Sequence, residues 1–174
     1  MAADAATLRI RRLEAGDPPV MSAAFAAIGW KKPVEQYDRY LEAQRSGRRD
    51  VLVAFSRVSF TGYVTVNWHP DYPPLSLGGT PEIQDLNVLP AWRRRGIASR
   101  LLDEAERLAA LRSDRVGIGV GLHPGYNAAQ RLYVLRGYVP DGHGVTAGNA
   151  FVREGQTVTM DDEVVLHFVK MLRP

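Results

Sequence analysis

Apolar and polar residues along the chain follow two periods, one typical of strands and one typical of helices. Alternating and β-rich runs predict seven strands, over residues 7–13, 51–58, 62–68, 82–89, 115–123, 138–139 and 164–172. Apolar spacing of three and four residues, together with proline and glycine at the ends, predicts four helices, over residues 17–27, 33–46, 97–112 and 126–136. This order predicts an α/β sandwich on a mixed sheet.

The segments between these elements carry their own signals. The second and third strands predict a hairpin with its turn at residues 59–61. Residues 69–81 contain four prolines and two glycines, and predict a loop without regular structure. Residues 141–159 are glycine-rich and predict a second loop, with a short extended piece at residues 151–152. In the fifth strand, glycines occupy one whole face, which indicates close approach of a ligand or of another part of the chain.

Composition narrows the class of protein. A chain of 174 residues with 45% hydrophobic and 24% charged residues predicts one globular domain over residues 1–174. The chain has no cysteine, which excludes disulfides, cysteine nucleophiles and thiolate metal sites. Its net charge of +3 is mild, so we expect no nucleic-acid partner. No apolar stretch is long enough to span a membrane, and no signal peptide is evident, so we expect a cytoplasmic protein.

An arginine-rich turn stands between the fourth strand and the third helix. Arg93, Arg94 and Arg95 precede Gly96, and a helix is expected from Ile97. The first N–H groups of a helix have no intrahelical partner and carry the positive end of its dipole. Such a turn favours a phosphate-bearing ligand, and the alternative is a solvated basic turn.

Two motifs give the chain its resemblance to a known family. The first is an Arg/Gln-x-x-Gly-x-Gly/Ala turn after a strand, present from Arg93 to Ala98, where alanine replaces the commoner last glycine. The second combines Asn127, Tyr133, Gly137 and Tyr138 at its fixed spacing. Because both occur in order, the chain resembles the GNAT superfamily of acyl-CoA-dependent N-acetyltransferases. The resemblance implies a mixed, mostly antiparallel sheet of about seven strands flanked by four helices, with strands 4 and 5 splayed around the coenzyme.

The resemblance also implies where acetyl-CoA would bind. Its pyrophosphate would contact backbone N–H groups at the arginine turn, and its pantetheine arm would follow the fourth strand, where the N–H near Val88 would polarise the thioester carbonyl. The implied coenzyme-binding residues are Leu86, Asn87, Val88, Arg93, Arg94, Arg95, Gly96, Ile97, Ala98, Ser99, Asn127 and Ala129. Asn127 has an alternative role as a helix N-cap.

Proton transfer has three candidate residues. The resemblance makes Tyr133 the general acid for the leaving thiolate, and the alternative is a core tyrosine. Glu82 and Asp85 are the candidate bases; they are three residues apart, which places them on opposite faces of a regular strand unless a bulge changes the parity. Glu82 is favoured because it is expected nearer the open end of the strand. Each carboxylate has a purely structural alternative.

Together these features predict an N-acetyltransferase that transfers an acetyl group to an amine by direct attack in a ternary complex. The alternative is a non-catalytic acyl-CoA-binding sensor or regulatory module. A small-molecule amine is favoured over a protein acceptor, because the 69–81 loop suggests a lid. His69 and His167 stand isolated in the sequence, so we expect no metal. A homodimer is left open.

Overall fold

The computed structural model describes residues 8–172, which form a mixed α/β fold. The strands are β1 (Leu8–Arg12), β2 (Arg49–Ser56), β3 (Ser59–Asn67), β4 (Glu82–Val88), β5 (Arg115–Gly121), β6 (Val139–Ala147), β7 (Ala150–Phe151) and β8 (Val164–Met171). The α-helices are α1 (Asp17–Ala26), α2 (Val34–Arg45), α3 (Pro73–Leu77), α4 (Ile97–Ala110) and α5 (Asn127–Leu135). Thr7, in the first predicted strand, lies outside the described residues, as do both ends of the predicted 1–174 domain.

Hydrogen bonding joins the eight strands of the described chain in the order β1-β2-β3-β4-β5-β8-β6-β7. The pairs β1–β2, β2–β3, β5–β8, β6–β8 and β6–β7 are antiparallel, and β4–β5 is parallel. This confirms the predicted mixed, mostly antiparallel sheet. The strands and helices exceed the predicted counts by one each. The helix α3 was not predicted, and β7 was predicted only as a short extended piece at residues 151–152.

The described chain forms two compact units, and β4 contributes to both. Unit one holds residues 8–68 and Gln84–Leu108; unit two holds His69–Ile83 and residues 109–172. Within unit two, β4 pairs with β5 at Glu82 with Gly117 and Ile83 with Ile118. The predicted separation of these strands around a coenzyme concerns the rest of β4, and it stays a prediction. The single-domain assignment also stays a prediction.

Unit one is built on an aromatic core between two helices and the β2–β3 hairpin. The core cluster consists of Leu13, Met21, Phe25, Tyr37, Leu41, Val51, Val53, Phe60, Tyr63 and Leu89. Phe25 of α1 meets Tyr63 of β3 edge to face, with ring centroids 5.9 Å apart, and Tyr37 of α2 meets the same ring at 5.5 Å. Edge-to-face contacts add to the burial of aromatic area. These contacts attach both helices to the centre of β3.

The hairpin turn lies two residues earlier than predicted. Ser59 to Thr61 belong to β3 rather than to the turn, which consists of Arg57 and Val58. Arg57 has a φ of 54°, the left-handed conformation that two-residue hairpin turns require. The earlier turn places Phe60 in the core of unit one and lets the Thr61 hydroxyl donate to the carbonyl of Ala54.

Gly62 in β3 lies against the backbone of β4, and we predict that alanine there destabilises the protein. A Cβ at this position would lie 2.4 Å from the Asn87 carbonyl oxygen and 3.1 Å from Val88 Cα. Because backbone atoms cannot rotate away, we expect Gly62→Ala to lower the free energy of unfolding by about 3 kcal/mol in urea denaturation. Gly16→Ala is the control, since nothing lies within 4 Å of its Cβ position. Equal stabilities of the two variants would contradict this packing.

In unit two, the glycine face of β5 is covered by side chains of the chain itself. The Cβ positions of Gly117, Gly119 and Gly121 would lie within 3.0 Å of atoms of Leu75, Val165 and Tyr126, respectively. Leu75 belongs to α3, so the prediction that residues 69–81 have no regular structure is wrong. The helix begins at a proline pair and packs its leucine where β5 has no side chain. Packing within unit two therefore accounts for the glycine pattern.

The glycine-rich segment after residue 138 also differs from the prediction. It forms the nine-residue strand β6, whose pairing with β8 shifts register between Pro140 and Val145. Gly142 and Gly144 have φ of 87° and 84° within that irregular stretch. Glycine there permits the left-handed backbone that interrupts the pairing, so a strand resembles a loop in sequence.

The homodimer stays a prediction. None of the helices between residues 8 and 172 is long and apolar enough to cross a membrane.

Candidate active site

The arginine turn in unit one has the backbone geometry of an anion cradle. Arg94 and Gly96 have φ of 60° and 77°, so two residues of left-handed conformation precede α4. The N–H of Arg100 donates to the Gly96 carbonyl at 3.1 Å, which places Ile97 to Ser99 in the first helical turn. Alternating backbone conformations turn neighbouring N–H groups towards one side, and the helix dipole adds partial positive charge there. The turn is therefore suited to a phosphate group.

The three arginine side chains differ in their roles. All three are exposed. Arg93 Nε donates to the Val88 carbonyl at 3.2 Å, and its guanidinium lies over the Trp30 ring, 5.6 Å from the centroid. The Arg95 guanidinium lies over Trp92 at 5.0 Å. Arg93 thus fastens the turn to the end of β4.

We predict that Gly96→Ala weakens coenzyme A binding. No atom lies within 4 Å of the Cβ position at Gly96, so the substitution acts through its left-handed φ and not through a clash. A residue with a side chain costs about 1–2 kcal/mol in this conformation. If the turn relaxes to avoid that cost, calorimetry should show a Kd raised about tenfold. Gly47→Ala is the matched control, with a φ of 72° and equally open surroundings. Equal affinity of the two variants would argue against the cradle.

Asp85 interrupts β4 in unit one. Its φ of 55° is a left-handed conformation, uncommon for a residue other than glycine. The Asp85 side chain is 32% exposed and accepts a hydrogen bond from the Tyr40 hydroxyl at 2.5 Å. Burial first, and then the charge of Asp85, raise the pKa of Tyr40 above its usual range. The proton therefore stays on the Tyr40 hydroxyl, which donates a hydrogen bond to the Asp85 carboxylate.

An arginine that sequence reasoning missed holds this end of β4. Arg49 donates to the Thr65 hydroxyl at 2.6 Å and to Gln84 Oε1 at 2.9 Å. Its Nη1 is 3.9 Å from Asp85 Oδ2, and its guanidinium lies over the Tyr40 ring at 5.0 Å. The candidate base Asp85 is therefore engaged by a hydroxyl donor and a cation. In the sequence, the one sign of this role is the charge of Arg49 at the start of a β-rich run.

Glu82 is the first residue of β4, lies in unit two and is 5% exposed, and its place at the open end of the strand stays a prediction. Its Oε1 is 3.5 Å from Nε2 of His167, which is equally buried. His167 was predicted to be isolated, but it stacks on Tyr72, with ring centroids 3.6 Å apart. No sequence motif indicated this pair, because the two residues come from distant strands.

Tyr133 lies on α5 of unit two, with a side chain that is largely buried. It is 6% exposed, and its ring lies 5.9 Å from that of Tyr138. Burial first, and then Tyr126, raise the pKa of Tyr133 above its usual range, so it carries its proton at neutral pH. Asn127 is the exposed first residue of the helix, while Tyr126 occupies the N-cap position, so the cap alternative for Asn127 is wrong. Ala129 is half-buried.

The structure thus distributes the predicted residues over its two units. Unit one contains Asp85, Leu86, Asn87, Val88 and the turn from Arg93 to Ser99. Leu86 and Asn87 are half-buried, while Val88 and Ile97 are buried. Unit two contains Glu82, Asn127, Ala129 and Tyr133. Within each unit, the site residues lie in the strand, turn or helix to which the sequence assigned them.

Comparison with known proteins assigns the family. The model of the acetyltransferase (GNAT) family matches residues 10–138. The chain belongs to this family of acetyltransferases. A search of curated proteins gave no match.

Solved structures share the fold at low sequence identity. Ribosomal-protein-alanine N-acetyltransferase from Brucella melitensis is 20% identical, with a TM-score of 0.69, over 94% of this chain and 99% of that one. YncA from Salmonella typhimurium, solved with its cofactor acetyl-CoA, is 18% identical, with a TM-score of 0.68, over 95% and 94%. The spermidine/spermine N-acetyltransferase SpeG from Vibrio cholerae is 17% identical, with a TM-score of 0.66, over 96% and 94%.

Proposed function

We propose that this family member is an acetyl-CoA-dependent N-acetyltransferase that acts by direct attack of an amine in a ternary complex. The observation that carries the proposal is the turn before α4, where Arg94 and Gly96 in left-handed conformation lead into a helix start. A diphosphate suits such a turn. The open space at the Cβ position of Gly96 supports close approach of a phosphate.

The remaining coenzyme contacts are proposed from the family resemblance. The backbone of Leu86, Asn87 and Val88 would pair with the pantetheine arm, and the N–H near Val88 would donate to the thioester oxygen. Asn127 and Ala129 of α5 would contact the same arm. YncA was solved with acetyl-CoA, which supports acetyl-CoA as the coenzyme of this fold.

The chemistry needs a base and an acid. An alkyl amine has a pKa of about 10 in water, so it must lose a proton before its nitrogen can attack. In the proposed step that proton passes to Glu82, directly or through water, and the C–N bond to the thioester carbon forms. The C–S bond then breaks, and the thiolate receives the Tyr133 proton. The second amine proton passes to the Tyr133 phenolate, directly or through water, which restores Tyr133 and gives the acetylated amine and the free coenzyme thiol. The proton on Glu82 then leaves to solvent. The absence of cysteine excludes a cysteine acyl-enzyme.

A small-molecule amine is the proposed acceptor. SpeG takes spermidine or spermine and the Brucella enzyme takes a ribosomal protein, so the shared fold accommodates both classes. The preference rests on residues 69–81, which in unit two fold inwards, with Tyr72 and Leu75 buried. A segment folded in this way favours an enclosed acceptor over an extended peptide.

One observation favours a second candidate, a non-catalytic acyl-CoA-binding module. Glu82 is buried, and Asp85 is engaged by Tyr40 and Arg49. A sensor would need the turn before α4 but would have no need of a base that an amine can reach.

The test is to mix the protein with acetyl-CoA and a panel of polyamines, amino acids, aminoglycosides and peptide amines, and to measure thiol release. Turnover with an amine and calorimetric binding of coenzyme A are both expected. Binding without thiol release from any amine would favour the sensor. Absence of binding would overturn both candidates, since each depends on the cradle.

A further inference from the structure

A buried histidine lies beside the carboxylate proposed as the base. His167 on β8 is 3% exposed, and its Nε2 is 3.5 Å from Oε1 of Glu82. We infer that His167 is a positioning residue that orients the Glu82 carboxylate to accept the proton of the acceptor amine. This inference rests on the function proposed above. Nothing in the family motifs of this sequence assigns a role to His167.

The ring of His167 is held so that one particular nitrogen faces the carboxylate. Tyr72 stacks on the ring at 3.6 Å, with the planes only 4° apart. On β5, Gly119 is the cross-strand partner of His167, and a Cβ there would lie 3.3 Å from Nε2. The missing side chain at Gly119 and the stack on Tyr72 together define the plane of the ring. Nε2 is thereby directed at Glu82.

Hydrogen bonding assigns the proton within the imidazole. Nδ1 of His167 is buried and has no hydrogen-bond partner among the described residues. If Nδ1 carried the proton, a buried N–H would lack an acceptor, and the Nε2 lone pair would face a carboxylate oxygen. The other neutral tautomer avoids both costs, because Nε2 donates to Glu82 and Nδ1 is left as a bare acceptor. The geometry therefore places the proton on Nε2.

The titratable groups that face His167 come from three elements. Glu82 approaches from β4, Tyr72 from the residue before α3, and Asp141 of β6 acts through Tyr72, whose hydroxyl donates to it at 2.6 Å. Burial first, then the hydrogen bond to Asp141 and the charges of Asp141 and Glu82, raise the pKa of Tyr72 above its usual range. Tyr72 thus stays a neutral phenol whose hydroxyl donates a hydrogen bond to Asp141. His167 is left as the donor directed at Glu82.

This contact matters because a general base must lie within hydrogen-bond reach of the proton that it accepts. A neighbouring N–H that fixes the direction of the carboxylate preserves that geometry, and without it the carboxylate can turn away from the acceptor. Loss of the His167 N–H should therefore lower kcat more than it raises KM. Misplacement of a reacting group costs up to about a hundredfold in rate.

The test compares His167→Phe with His167→Gln, using thiol release from acetyl-CoA and the best acceptor, with kcat and KM determined separately. His167→Phe keeps an aromatic ring against Tyr72 but has no donor, so kcat should fall about tenfold or more while the KM for the acceptor changes by less than about threefold. His167→Gln carries an amide N–H near the position of Nε2 and should restore most of kcat. His143→Gln, at an exposed position of β6, is the control.

Imidazole ¹⁵N NMR of the wild-type protein gives a readout that does not depend on turnover or on the folding of a variant. Protonated Nε2 and unprotonated Nδ1 are expected for His167. The opposite tautomer would overturn the inference, as would an unchanged kcat in His167→Phe when Glu82→Gln is inactive; both results leave the proposed function standing. Absence of thiol release by the wild type would instead overturn the function and, with it, this role of His167.

Discussion

Replacing Tyr133 with phenylalanine should reduce kcat by about a hundredfold or more while the Kd for acetyl-CoA stays within about twofold. Loss of a general acid costs that much because the departing thiolate is left without a proton donor. The ring itself remains, so the packing against Tyr138 is retained. Because burial raises the pKa of Tyr133, its proton stays in place across the neutral range, and the loss should be the same at every pH from about 6 to about 9. Thiol release and calorimetry measure the two quantities.

Tyr138→Phe is the matched control, since it removes a hydroxyl from the neighbouring ring and leaves a residue that the family motif accepts at this position. We expect near wild-type turnover for it. Full activity of Tyr133→Phe would show that Tyr133 is only a core tyrosine. A loss of turnover that matches a loss of coenzyme affinity would show that its hydroxyl binds the coenzyme and does not act in the chemical step.

Local patterns predicted most of the fold. Period-two and helical spacing located six strands and four helices, because each of these elements is long enough to show its period. The five-residue helix α3 and the two-residue strand β7 are too short for a period to appear. β6 was predicted only at its start, residues 138–139, because Gly142 and Gly144, which interrupt its pairing, are the residues that also mark loops.

For the candidate site too, features formed by neighbours in sequence were predictable, and contacts between distant residues were not. The turn before α4 was predictable because its arginines, its glycine and its helix start are neighbours in sequence. The contact of Glu82 with His167 depends on the register of β5 against β8, in which Gly119 faces His167, and no local pattern gives that register. The engagement of Asp85 by Tyr40 joins residues 45 positions apart. Its left-handed φ falls on an aspartate, where glycine would have signalled it.

If Glu82 is the general base, kcat should fall much further in Glu82→Gln than in Asp85→Asn. We expect Glu82→Gln to lower kcat about 10²- to 10⁴-fold, the usual effect of losing a general base, and Asp85→Asn to lower it less than about tenfold. The reason lies in their partners. The Asp85 carboxylate is already engaged by the Tyr40 hydroxyl at 2.5 Å and by Arg49, whose Nη1 lies 3.9 Å from Oδ2. Nε2 of His167 lies 3.5 Å from Glu82 Oε1. Steady-state thiol release at saturating acetyl-CoA measures both variants.

Each of these substitutions replaces a carboxylate by an amide of nearly the same shape, so packing is preserved and the proton-accepting group is what is lost. Thermal unfolding should confirm equal stability before the rates are compared. If Asp85→Asn suffers the greater loss, the base is Asp85, and the buried contact between Glu82 and His167 is a structural pair. If both variants lose about equally, the acceptor proton passes through a network that needs both carboxylates, and the double variant should then be no slower than either one alone.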